Sequence, residues 1–144
     1  MPPTKKKKEK ILKNKSKDDI IVKIINSDIT QINMGWRHFE IQWKERIYYE
    51  GNSCHGLSNW DTGTVTIDPR LDNELAKETI LHEITHLLLE NVGLGGGEDD
   101  SGIQMKNEDV TALLSRGMMQ LWILNPELMS IIFGAIIITN GPST

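Results

Sequence analysis

Five consecutive residues, His82-Glu83-Ile84-Thr85-His86, constrain this chain more than any other stretch. They lie inside a helical pattern that runs from Leu75 to Val92. Helical residues four apart stand one turn apart on nearly the same face, about 6 Å along the axis. Ile80, Leu81, Ile84, Leu87, Leu88 and Val92 form one broad apolar stripe, the core face. His82 and His86 fall on the opposite side, with Leu75, Thr79 and Leu89 beside them. The main core does not need two histidines, and an ordinary solvent face does not bracket them with leucines. The helix is therefore expected to bury one side and to offer the other as the wall of a cleft.

Two imidazoles placed in this way can bind one Zn²⁺ from one side. Glu83 lies on the flank of the same face, where it can act as a general base on a zinc-bound water. The five residues thus supply two ligands, His82 and His86, and one proton acceptor. A catalytic zinc usually takes a third protein ligand and leaves one position open. Glu90 is one turn past His86 on the same helix and is expected to point along the axis and away. Glu98, Asp99 and Asp100 fall in a Gly-rich loop. Glu108 opens a second helical pattern, Asn107 to Leu124, whose core stripe is Val110, Leu113, Leu114, Gly117, Leu121 and Leu124. It lies opposite that stripe, beside the small residues Ala112 and Ser115, which leave room for a metal. Glu108 is the preferred third ligand and Asp109 the alternative; an acid in a helix's first turn also has a purely stabilising use.

The strand Gly63–Asp68, the run ETILHEITHLLLE, a Gly-containing loop and then NEDVTALLSRGMMQLWILNPEL together resemble the ImmA/IrrE-type metallopeptidases. The likeness is nearest to the short members found in phages and prophages, and it covers roughly Ile21 to Leu128. It implies a reduced gluzincin-like α+β domain: a short antiparallel or mixed sheet, an active-site helix and a second, ligand-bearing helix. It also implies zinc held by His82, His86 and a Glu on the later helix, here Glu108, with Glu83 as base. The implied substrate is a regulatory protein such as a phage-type repressor. Larger members read Glu-Ala-Asn or Glu-Ala-Asp at the second site. Asn107-Glu108-Asp109-Val110 departs from that, which keeps Asp109 open.

Charge divides the chain unevenly. Residues 1–17 hold eight Lys and one Glu, a net of +7, whereas the rest holds eight Lys or Arg against nineteen Asp or Glu, a net of −11. The expected organisation is a basic, disordered tail over 1–17 and a single domain over 18–144. The tail reads as a solvated extension; its functional reading is a weak, salt-sensitive contact with nucleic acid or an acidic partner. It carries no aromatic residue to stack on bases. A single cysteine, Cys54, excludes an internal disulfide and fits a reducing, cytoplasmic compartment. No signal peptide is expected, because lysines continue past Lys8 and no apolar run follows. The apolar run Leu128–Ile138 is too short to span a bilayer, so no membrane role is expected.

Along the chain, Ile20–Ile25 reads as a first strand or a helix-to-strand junction; periodicity does not settle it. Phe39, Ile41 and Trp43 alternate with polar residues as a half-buried strand. Ile47–Glu50 extends that strand or forms its hairpin partner, and Gly51–Asn59 reads as a loop. Thr64–Asp68 is a strand ended by Pro69, and a candidate free edge for pairing an extended substrate. Asp72 or Asn73 caps the histidine helix and Gly93 stops it. A last helix is expected over Glu127 to Ile138. Asp61-Thr62-Gly63-Thr64 imitates an aspartic-protease motif, but only one copy is present and its chemistry needs two carboxylates, so it reads as a turn. The Gly-rich loop lacks the ending of a phosphate loop. Adjacent Cys54 and His55 do not make a nucleophile pair.

The function these readings favour is a zinc-dependent endopeptidase acting on a protein or peptide substrate. The alternative is a non-catalytic zinc protein that sequesters or inhibits a host or phage protein. No Tyr or His follows His86 to support an oxyanion; His38, Tyr48, Tyr49 and His55 all lie upstream and depend on the fold to bring them in.

Overall fold

The computed structural model describes residues 2–91 and 107–134, the side chains of 107–112 excepted. The first element is not the expected disordered tail. Lys5–Leu12 forms helix α1, with Thr4 as its N-cap. Ile11 and Leu12 pack against the core at its end. Lys15, just beyond, donates to the Leu71 carbonyl at 3.0 Å and pairs with Asp19 at 3.5 Å. Two apolar residues and one lysine stem find partners that composition alone does not reveal.

Ile20–Asn26 is helix α2, although its β-branched content read equally well as strand. Asp19 caps it by accepting from the Ile21 N–H at 2.8 Å, and Asn73 accepts from the Ile20 N–H at 2.9 Å. Ile20, Ile21, Val22, Ile24 and Ile25 are all buried. Capping and burial on nearly every side override the local preference.

The strands follow: β1 (Gln31–Asn33), β2 (His38–Trp43), β3 (Ile47–Tyr49), β4 (Asn52–Cys54), β5 (Gly56–Asn59) and β6 (Thr64–Ile67). Four of them form a mixed sheet in the order β1-β2-β6-β5. β2 and β6 run parallel, with Ile41 opposite Val65, while β1–β2 and β5–β6 are antiparallel. β3 and β4 make a separate hairpin, so Ile47–Tyr49 neither extends β2 nor pairs with it. The region expected as a loop, Gly51–Asn59, contains both β4 and β5. The turn at Asp61-Thr62-Gly63 is present: Asn59 Oδ1 accepts from the Thr62 N–H, and Gly63 takes φ +69°.

Phe39, Ile41, Trp43, Val65 and Ile67 turn to one face of the sheet and are buried. Their polar neighbours Gln42, Thr64 and Thr66 remain wholly or partly accessible, the alternation of a sheet covered on one side. Covering that face is α3 (Asn73–Asn91), whose Ala76, Ile80, Ile84, Leu87 and Leu88 are buried. Asp72 is its N-cap, accepting from the Leu75 N–H at 2.9 Å. The expected stop at Gly93 lies outside the described residues.

α4 (Asn107–Leu124) and α5 (Pro126–Phe133) complete the chain. Leu121 is buried as expected, but Leu114, placed in the same stripe, is exposed. Val110 lies among the side chains not described. Gly117 lets α4 approach α3, since a Cβ there would stand 3.2 Å from Leu88 Cδ2. Asn125 joins the two helices to the sheet: its Oδ1 accepts from the Asn33 N–H and its Nδ2 donates to the Asn33 and Leu121 carbonyls. α5 ends at Phe133, short of the expected Ile138, because Gly134 adopts the left-handed C-cap at φ +64°. The architecture is α+β with a small mixed sheet. No helix among the described residues is long and apolar enough to cross a membrane.

Candidate metal centre and cleft

Between α3 and the edge strand β5 lies a cleft of about 890 Å³, and the histidine motif forms one wall of it. His82 and His86 are exposed to this space, as their place opposite the core stripe requires. Their Nε2 atoms stand 3.0 Å apart and their rings meet edge to face at 78°. A tetrahedral zinc with bonds of about 2.0–2.1 Å would set two ligand nitrogens about 3.3 Å apart. The two nitrogens, close enough for one ring to donate a hydrogen bond to the other, stand within a few tenths of that spacing. In donor type and in separation, the pair fits a zinc ion.

Glu83 is only 6 % exposed. Its Oε2 accepts a hydrogen bond of 2.7 Å from the Ser58 N–H, which ties the motif helix to β5. Gly56 makes this approach possible. A Cβ at that position would come within 2.7 Å of Thr79 Cγ2 and 3.1 Å of Glu83 Cγ. Thr79, one turn before Glu83, is likewise buried. The helix therefore lies directly over Gly56, and Glu83 reaches past it to the strand's backbone.

Upstream residues form the other walls. Tyr49 and His55 line the cleft, whereas His38 and Tyr48 do not. Cys54 lines it too; burial, and then the negative charge of Glu83, push its thiol above the ordinary value. Trp60 stacks obliquely on Phe39 at 5.1 Å and Trp36 at 5.8 Å, with the Arg37 guanidinium 5.0 Å from the Trp60 ring centre. Trp36 Nε1 donates to Asn91 Oδ1 at 2.7 Å, fastening the β1–β2 turn to the end of α3.

Behind His55, Asp68 fixes the turn from β6 into α3. Its carboxylate accepts from Arg70 Nε at 3.0 Å, Arg70 Nη2 at 2.8 Å and the Arg70 N–H at 2.9 Å. Burial pushes the Asp68 carboxyl up. The Arg70 hydrogen bonds and charge, with the charge of His55, outweigh it and hold the group below the usual carboxylate range.

Two expectations change. Glu90, expected to point away, lines the cleft, as does Glu78. The segment Thr64–Asp68, expected as a free edge, contains β6, an inner strand between β2 and β5, so the free edge beside the motif belongs to β5. Glu108 and Asp109 occupy the first turn of α4, and their side chains lie outside those described. Among the described residues no third His, Cys, Asp or Glu joins the histidine pair in a metal-holding group. Sequence reasoning missed Ser58 and Gly56. Ser58 acts through its backbone, and Gly56 through a missing side chain.

Compared with known protein families, characterised proteins and solved structures, the chain matches none.

Proposed function

We propose that this chain is a zinc-dependent endopeptidase of the ImmA/IrrE type with a reduced zincin-like fold. The observation that carries the reading is the close approach of the His82 and His86 Nε2 atoms, 3.0 Å apart on a cleft wall, beside the buried carboxylate of Glu83. When bound, zinc supplies Lewis acidity and makes a water acidic enough to lose a proton near neutral pH. His82 and His86 hold it, with Glu108 or Asp109 as the third ligand. Glu83 takes the proton of the attacking water and delivers it to the leaving amine. Tyr49 and His55 line the same cleft and are the candidates for donating to a developing oxyanion. The β5 edge pairs with an extended substrate. A repressor-like regulatory protein is the substrate class that the family likeness implies.

One observation favours a second reading, a zinc-containing binding protein without catalysis. The Glu83 carboxylate is already engaged by Ser58, as a purely structural acid would be. Metal analysis of the purified chain tests the shared premise of both readings. One zinc per chain is expected, with none in His82→Ala. Loss of zinc in Glu108→Ala but not in Asp109→Ala assigns the third ligand; the reverse moves it to Asp109. A wild-type chain that binds no zinc overturns both readings.

A further inference from the structure

We infer that Glu83 is latched to the strand edge that an extended polypeptide would use, and that strand addition to β5 takes over the Ser58 N–H and releases the Glu83 carboxylate into the cleft.

Along an antiparallel strand, successive residues turn their backbone groups alternately toward the paired strand and away from it. The His55 carbonyl accepts from the Asp68 N–H, and the Asn59 carbonyl from the Gly63 N–H. Odd-numbered residues of this segment therefore turn their backbone groups inward across the hairpin, and residues 56 and 58 turn theirs off the sheet. β5 ends the sheet, and no strand among the described residues pairs with its outer side. The Ser58 N–H is the donor that an added strand would need for one of its carbonyls. It is taken by Glu83 at 2.7 Å instead.

The latch is built into the packing. Gly56 admits the Glu83 side chain over the strand where any Cβ would meet it. The carboxylate is nearly inaccessible while it holds Ser58, yet its residue borders the same cleft as His82 and His86. A peptide carbonyl and the Glu83 carboxylate thus compete for one hydrogen. Whichever wins determines whether the carboxylate is tied to the strand or free to face the cleft. The inference rests on the proposed function only for what the freed carboxylate does next; the competition itself is a matter of binding.

The test uses the zinc-loaded full-length chain and an uncharged, end-capped Thr-Ala-Thr-Ala-Thr-Ala-Thr peptide. Glu83→Gln and Glu83→Ala have equal charge and neither cuts on this reading, but only Gln keeps an acceptor for Ser58. The Ala variant should bind the peptide at least about threefold more tightly than the Gln variant, the scale of one neutral hydrogen bond. Ser58→Pro, acceptable on an edge strand whose N–H points outward, should erase that difference. Without peptide, the Ser58 amide should exchange its hydrogen at least tenfold faster in Glu83→Ala than in the wild-type chain, and saturating peptide should slow it again. Equal affinities for the Gln and Ala variants, a slow Ser58 amide in Glu83→Ala, or no peptide binding by any form overturns the inference. If Ser58→Pro does not fold, the exchange rates decide. Failure of the peptidase reading appears separately, as a zinc-loaded wild-type chain that cuts nothing while these binding and exchange results stand.

Discussion

Gly56 and Asp68 do for the cleft what its histidines cannot do alone. Gly56 sets how closely α3 lies on β5. Its backbone needs no special conformation, so the only effect of Gly56→Ala is crowding: the new methyl meets Thr79 Cγ2 at 2.7 Å. Thr79 is buried and branched and cannot turn aside. Overpacking of this kind costs about 1–3 kcal/mol. Chemical denaturation should show that loss, together with faster exchange of the Ser58 amide; unchanged stability would mean that helix and strand separate freely. Asp68 works through charge. Its folded pKa lies below its unfolded one, so its contribution is complete above the unfolded value of about 3.9 and is lost as pH falls through the folded value. Asp68→Asn should cost about 1–2 kcal/mol near neutral pH, a figure kept small because Arg70 is half exposed. The difference from wild type should shrink on acidification below about pH 4, as followed by melting temperature. A difference that grows toward low pH would contradict the assignment. At this scale the histidines were legible because four-residue spacing is a side-chain signal. The Ser58 hydrogen bond was not, because every residue but proline has the same N–H.

Among the elements, those with a strong period were the ones the sequence revealed. β2 shows its burial in the alternation of Phe39, Ile41 and Trp43, and α3 shows its core face in Ile80, Ile84, Leu87 and Leu88. α2 was ambiguous because five of its seven residues are buried, which removes any polar face to set a period. β5 was hidden by its length: four residues, Gly56-Leu57-Ser58-Asn59, are too few and too polar to alternate visibly. Placing the free edge on Thr64–Asp68 followed from missing β5, since the more apolar strand turned out to be the inner one. α1 was hidden by composition, its lysines masking Ile11 and Leu12. Its attachment changes what truncation should do. The surface pairs Lys8–Asp28 and Lys10–Glu45, both at 3.8 Å, contribute little. Lys15 is different, because it bonds the Leu71 carbonyl beside the start of α3. Deleting residues 1–17 should leave a folded chain that still binds zinc but is less stable by about 1–2 kcal/mol, from the lost Lys15 contacts and two partly buried aliphatic residues. An unchanged melting temperature would return the segment to the status of a solvated tail.

For the whole molecule, the α+β class and the short mixed sheet were expected from the family likeness, and the structure has both. What sequence could not supply was the relation of parts: a one-sided sheet, a helix laid over its edge strand, and a cleft opened between them. That arrangement brings residues from before the motif, His55 and Tyr49, into the space in front of it. No Tyr or His follows His86 in the sequence, so any such side chain in the cleft comes from upstream. On the proposed function, this space is a place of peptide hydrolysis in which Glu83 moves the proton. The direct measurement is cleavage of a repressor-type protein by zinc-loaded wild-type and Glu83→Gln chains, with zinc content and partner binding measured on the same samples. The account expects equal zinc and retained binding in both, with cleavage by the variant slower by at least about a hundredfold, the usual scale for a general base. A fully zinc-loaded wild-type chain that binds its partner and never cuts it, with Glu83→Gln equally effective in cells, would contradict the claim and leave the binding-protein reading in its place.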